Sequence, residues 1–186
     1  MMGILTNEIR KLATPYIIGL PVIMIALLIM QASRVEPFDL LWRELIIVFG
    51  YIAAVIDIRT KKIPNKLLIT MLAAWIFTIT PMMIFDMEQA VSRISDSVFG
   101  FVLGGGIFML VYIISKKGLG GGDVKFMAVA GLYLGVGGVL PSIFLGTLLA
   151  ALIGIILIAA KKIKRKDPIP LAPFLFAGML LTIFLS

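Results

Sequence analysis

LPSIFLGTLLAALIGIILIAA, residues 140–160, runs straight into KKIKRK, residues 161–166. The first stretch has no charged residue over 21 positions. A helix needs about 20 apolar residues to cross the hydrocarbon of a bilayer. The second stretch carries five basic residues, Lys161, Lys162, Lys164, Arg165 and Lys166. A basic block directly after a span marks the end that stays in the cytoplasm and meets anionic lipid. Membrane lipid is therefore the first partner, ahead of any substrate-docking role for the cluster.

Working outward from this pair, the same pattern recurs. Apolar stretches predict spans at about Thr14–Ala32, Leu45–Ile58, Leu67–Phe85, Ser97–Ser115, Val124–Val136 and Ile169–Leu185. The expected fold class is all-α, a polytopic membrane helix bundle of about six or seven transmembrane helices. Hydrophobic residues make up 61% of the 186, against about 45–50% in soluble domains. The connections are short, so one membrane domain over 1–186 is expected. Glycines cluster at Gly104–Gly106, Gly118–Gly122 and Gly135–Gly138 without forming a repeat.

Charge sets the orientation. With a cytoplasmic N-terminus and seven crossings, four groups fall on the cytoplasmic side. These are Arg10 and Lys11; Arg59, Lys61, Lys62 and Lys66; Lys116, Lys117 and Lys125; and the five residues after Ala160. Only Arg34, Arg43 and Arg93 fall on the other side. This asymmetry follows the positive-inside rule. It explains the net charge of +7 with no nucleic acid as partner. The expected location is the inner, cytoplasmic membrane, crossed several times.

The chain has no Cys and no His. That excludes Cys-ligated metal sites, Ser–His nucleophiles and HExxH zinc sites. No metal and no other cofactor is implied. The remaining chemistry points to two acids at one membrane face. Asp57 ends the second apolar stretch, and Asp123 begins the fifth, after GLGGG at 118–122. An acid at membrane depth usually has a partner or a function. Two carboxylates in one shielded site share a proton, one serving as base and the other as acid. Each alone reads as ordinary: Asp57 as an interfacial acid beside Arg59 or Lys61, Asp123 as a helix N-cap. Together on one face, with a glycine run beside them, they read as a dyad. Helix ends favour an anion at Asp123, near an N-terminus, over one at Asp57, near a C-terminus. Asp57 is then expected to hold the shared proton. Asn65 is expected to cap the third span, with Pro64 before it. Lys125 is expected to snorkel to the headgroups.

These residues carry a resemblance. Gly120-Gly121-Gly122-Asp123 has the form G-x-G-D, continued by Val124-Lys125. Asp57 stands seven residues before Pro64-Asn65. Ile169-Pro170-Leu171-Ala172-Pro173-Phe174 supplies a third matching element. Together they resemble the type IV prepilin peptidases, intramembrane aspartic proteases of the G-x-G-D kind. The similarity runs over about 45–186, a peptidase-like core, and leaves 1–40 as an extra N-terminal segment. The resemblance implies an aspartic endopeptidase that cuts the basic leader from prepilins or pseudopilins at the cytoplasmic membrane face. It implies Asp57 and Asp123 as the catalytic pair. Gly120 and Gly122 come over as motif glycines, and Pro64, Asn65 and Lys125 as positioning residues. Larger family members carry a Cys-containing domain and also N-methylate the product. This chain looks like the short, peptidase-only branch, as in tight-adherence pilus systems. The rival reading is a proton- or ion-coupled transporter, since acids and broken helices also mark transport paths. A non-catalytic assembly subunit is a further reading. No oligomeric state follows from the sequence.

Overall fold

A computed structural model describes residues 19–31, 35–115, 118–164, 167 and 169–186. Among them are six helices: α1 (Gly19–Gln31), α2 (Pro37–Thr60), α3 (Asn65–Phe85), α4 (Met87–Ile114), α5 (Gly121–Ala159) and α6 (Ala172–Leu185). The protein is a membrane helix bundle. Helices α3, α4 and α5 are each long and apolar enough to cross a bilayer. Their lipid-facing sides are lined by exposed residues such as Phe77, Ile114 and Ile155.

Two helices start earlier than the apolar pattern alone indicates. Helix α2 begins at Pro37 instead of Leu45. Proline suits the first helical position because its missing N–H has no partner there anyway. The polar residues of this first part then find partners. Asp39 pairs with Arg93, and Arg43 donates to Gln31 Oε1 (2.6 Å) and to the Ile183 carbonyl. Helix α4 begins at Met87 instead of Ser97, because Asp86 caps it by accepting the Gln89 N–H at 3.0 Å. Its 28 residues span about 42 Å, more than the hydrocarbon, so the first turns lie among polar groups.

The fifth and sixth apolar stretches fall in one element, α5, broken at Gly135. A Cβ built at Gly104 would touch both the Met127 carbonyl and the Val139 side chain. In a straight helix those two residues would stand about 18 Å apart. The chain therefore turns back at Gly135, whose φ of 61° and ψ of −173° lie in a region essentially restricted to glycine. The first limb runs antiparallel to α4, with Gly131 against Gly100 and Met127 against Gly104. Small residues let these backbones approach closely, as helices in lipid require. The second limb packs on α6, Gly146 and Ser142 meeting Gly178. Helix α6 in turn packs on α2, where Phe176 and Met179 face Gly50.

A cluster of aromatic side chains ties α2, α3 and α5 together. Trp42 stacks near Trp75 and Tyr133, and Phe49 near Tyr133. Trp42 donates its indole N–H to Thr78 Oγ1 at 2.9 Å, and the Tyr133 hydroxyl donates to the Met71 carbonyl. The polar tips of Trp42 and Tyr133 are each satisfied by a neighbouring helix, which sets the register of all three, while the Trp75 indole N–H is buried without a hydrogen bond among the described residues.

Candidate active site

Asp57 sits in the last turn of α2 and is only 5% exposed. Its Oδ2 accepts the backbone N–H of Ala172 at 3.0 Å. Ala172 is the first residue of α6, and a helix leaves its first N–H groups without intrahelical partners. The short segment before α6, which contains Pro170, and Pro173 in the first turn of the helix deliver one of those free donors to the acid.

The chain then turns into α3. Lys61 adopts a left-handed conformation (φ 52°, ψ 33°) and returns its N–H to the Asp57 carbonyl at 2.8 Å. Pro64, with φ −73° and ψ 138°, is the N-cap of α3. The seven-residue spacing from Asp57 to Pro64 is thus a last helical turn, a left-handed cap and an extended entry. Asn65 does not cap the helix as expected, because Pro64 already occupies that position. As the first helical residue, Asn65 instead offers Oδ1 to Lys125 Nζ at 3.2 Å. Lys125 accordingly contacts the start of α3, where its residue type alone suggested snorkelling to the headgroups.

Asp123 is the third residue of α5, with Gly120 as N-cap. Its carboxylate folds back on the Gly120 N–H, the arrangement of a helix-capping box. It is therefore not itself the N-cap. A Cβ at Gly120 would stand 2.7 Å from Asp123 Oδ2. A Cβ at Gly122 would stand 3.3 Å from the Cβ of buried Ile63 and 3.4 Å from its backbone N and O. A Cβ at Gly121 would meet nothing within 4 Å. The two fixed glycines of the motif thus have separate jobs. Gly120 makes room for the Asp123 side chain, and Gly122 lets α5 start against the loop after Asp57. The variable middle position faces open space.

These contacts put Asp57 and Asp123 at one end of the bundle. One oxygen of Asp123, Oδ1, is buried without a hydrogen bond among the described residues. Among those residues no three acids gather as a metal would need. The ranking of the two acids by helix ends left one helix end out. It considered α2 and α5, whereas α6 also points its first N–H at Asp57. Both acids therefore face a helix N-terminus. The residue that sequence reasoning passed over is Ala172. It acts through its backbone, and the signal for it was the Pro-flanked start of the last apolar stretch.

The sequence pattern of the type IV leader peptidase family matches residues 44–158. The chain belongs to that family. Both aspartates and the G-x-G-D glycines lie inside the matched region. A prepilin leader peptidase/N-methyltransferase of Bacillus subtilis (strain 168) is 31% identical over 130 residues, covering 70% of this chain and 50% of that protein. One of Xanthomonas campestris pv. campestris is 28% identical over 176 residues, covering 92% and 60%. One of Escherichia coli (strain K12) is 34% identical over 87 residues, covering 44% and 36%. The chain thus spans about half the length of the curated relatives it matches. No solved structure matches. Ala172 lies outside the family match, and its N–H ties α6 to Asp57 as well.

Proposed function

We propose that this chain is an intramembrane aspartic endopeptidase. It removes the basic leader from type IV prepilins or pseudopilins at the cytoplasmic face of the inner membrane. The observation that carries this reading is the meeting of Asp57 and Asp123 at one end of an apolar bundle, inside a family of leader peptidases. The basic residues that flank this end, Lys61, Lys62, Lys66 and Lys125, support its facing the cytoplasm.

The reaction needs no group beyond the chain and water. One carboxylate takes a proton from a water held between the pair. The hydroxide adds to the carbonyl carbon as the other, protonated carboxyl gives its proton to the carbonyl oxygen. The first carboxyl then passes the proton it took to the leaving amine as the C–N bond breaks. The Ala172 N–H fixes the Asp57 carboxyl by one oxygen. Gly120 and Gly122 fix Asp123 by letting its side chain fold back and its helix approach the α2–α3 loop.

The test is cleavage of a co-expressed prepilin in membranes, read as a gel shift, at matched enzyme levels. The wild type should yield mature pilin, while Asp57→Asn and Asp123→Asn should accumulate the full-length precursor. Near wild-type cutting by either variant would remove the dyad and bring the transporter reading forward.

A further inference from the structure

We infer that the end of the bundle away from Asp57 and Asp123 holds a second site. It binds a zwitterion that carries an oxyanion and a primary ammonium, the chemistry of a phosphoethanolamine headgroup. The site is a cavity of about 340 Å³. Arg43 of α2, Asp96 of α4, the reversal of α5 at Gly137 and Gly138, and the last turn of α6 at Thr182 enclose it. Small-ligand sites have volumes of about 300–1,000 Å³. A recess of about 110 Å³ adjoins it and is also lined by Arg43 and Asp96. Arg43 stands 14 residues before Asp57 on α2, about 21 Å along the helix. The cavity is therefore separate from the candidate active site.

Arg43 and Asp96 line this cavity with opposite charges, and no ion pair joins them among the described residues. The fold fixes each one. Arg43 Nη1 donates to Gln31 Oε1 at 2.6 Å and to the Ile183 carbonyl at 3.3 Å. Buried Gln31 donates to the same carbonyl. The guanidinium keeps Nε and Nη2 without a hydrogen bond to the described residues, and such a fork matches the oxygens of a phosphate. Asp96 is held by the Val136 N–H on Oδ1, which leaves Oδ2 to accept from an ammonium. Arg93 and Asp39, beside them in the recess, neutralise each other. An anion alone would meet Asp96, and a cation alone would meet Arg43. A molecule bearing both charges satisfies both, and the site discriminates against either kind of simple ion. Exposed Leu181 and Leu185 flank Thr182 on α6, and exposed Leu140 follows Gly138. Apolar side chains at the rim suit acyl chains, so a phospholipid is the favoured source ahead of a free zwitterion.

The test titrates the full chain in detergent with phosphatidylethanolamine, phosphatidylglycerol, phosphatidylcholine and glycerophosphoethanolamine, and counts bound molecules by native mass spectrometry. Phosphatidylglycerol lacks the ammonium, and the quaternary nitrogen of phosphatidylcholine has no N–H to donate. Phosphatidylethanolamine should bind about tenfold tighter than either, which is what one hydrogen bond to a charged group contributes. Asp96→Asn still accepts the Val136 N–H, so it folds, and it should bring phosphatidylethanolamine down to the level of phosphatidylglycerol. Arg43→Lys keeps the charge but loses the fork, and it should weaken both lipids. Should Arg43→Lys fail to fold, Asp96→Asn and the comparison of lipids on the wild type decide. Glycerophosphoethanolamine carries the same head without chains and separates the sources. Binding with the same dependence on Asp96 would make a free zwitterion sufficient, and no binding would make the lipid the ligand. The site is overturned if the wild type does not prefer phosphatidylethanolamine to both other lipids, or if the preference survives in Asp96→Asn; the cavity then holds water alone. None of these readouts involves cutting, so they stand apart from the peptidase reading.

Discussion

The backbone N–H of Ala172 donates to Asp57 Oδ2 at 3.0 Å across 115 residues of sequence, inside the buried core. On the proposed reading the carboxyl has two separable roles, one in chemistry and one in holding α6 to α2. Asp57→Asn keeps an amide oxygen for the Ala172 N–H and loses only the acid. Asp57→Ala loses both and leaves a buried donor unpaired, at a cost of about 1–3 kcal/mol. Both variants should fail to cut prepilin. Only Asp57→Ala should also lose thermal stability in detergent. Equal melting of the two would mean that the bond does not hold the helices together.

The three motif glycines should respond unequally to alanine. Gly120→Ala would push a methyl into the Asp123 carboxylate, 2.7 Å away in the native backbone. Moving a catalytic group by about 1 Å can cost about 100-fold in rate, and a loss of that order is expected. Gly122→Ala crowds Ile63 at 3.3 Å, which relaxes more easily, so its loss should be smaller. Gly121→Ala meets nothing and should retain most activity, with stability equal or higher by about 0.4–1 kcal/mol from the stiffer unfolded chain. Initial cutting rates for the three variants check the order. A Gly121→Ala variant as slow as Gly120→Ala would put a substrate contact, or a need for flexibility, at the middle position.

Asp57, Asp123, Gly120 and Gly122 are legible in the sequence for a physical reason. Charges and glycines are costly inside an apolar chain, so their presence carries information. The bundle is legible from uncharged stretches such as 140–160. Helix starts are less so, because residues 37–44 and 87–96 carry charges that interrupt the apolar pattern and are helical by partners. Asp39 needs Arg93, and Asp86 needs the Gln89 N–H, before either start is visible. Ala172 is hidden for a different reason. Its contribution is an amide N–H, which every residue but proline has, and only the tertiary fold says which one meets Asp57. Asn65 reads as a cap from its type, yet the structure spends it on Lys125.

The Lys125–Asn65 bond joins the first turns of α5 and α3 at 3.2 Å on an exposed edge. An intramolecular hydrogen bond contributes about 0.5–1.5 kcal/mol net, so neither residue is expected to be essential. Lys125→Met and Asn65→Ala should each slow cutting modestly, and the double variant should be little worse than either. Cutting rates for the four proteins form a double-mutant cycle. Strictly additive losses would show that the two side chains act independently, for instance if Lys125 served the substrate alone.

Gly135 should decide whether the bundle forms at all. Its backbone, at φ 61° and ψ −173°, costs a residue with a side chain about 1–3 kcal/mol. A Cβ there would also overlap the Asp96 carboxylate. That carboxylate is needed in place, since Asp96 Oδ1 accepts the Val136 N–H at 3.1 Å and so satisfies a donor freed where the helix breaks. Asp96→Asn preserves an acceptor and should melt close to wild type. Asp96→Ala leaves the Val136 N–H unpaired and should melt lower, and Gly135→Ala lower still. Combining Gly135→Ala with Asp96→Ala removes the overlap but not the backbone strain, so it should recover only part of the loss. These residues lie at the end of the bundle away from Asp57 and Asp123. Whatever fraction of each variant folds should therefore cut at the wild-type rate per folded molecule. Thermal inactivation in detergent, set beside cutting per folded enzyme, separates the two effects. A fully stable Gly135→Ala protein would mean that packing against α4 and α6, and not this glycine, holds the reversal.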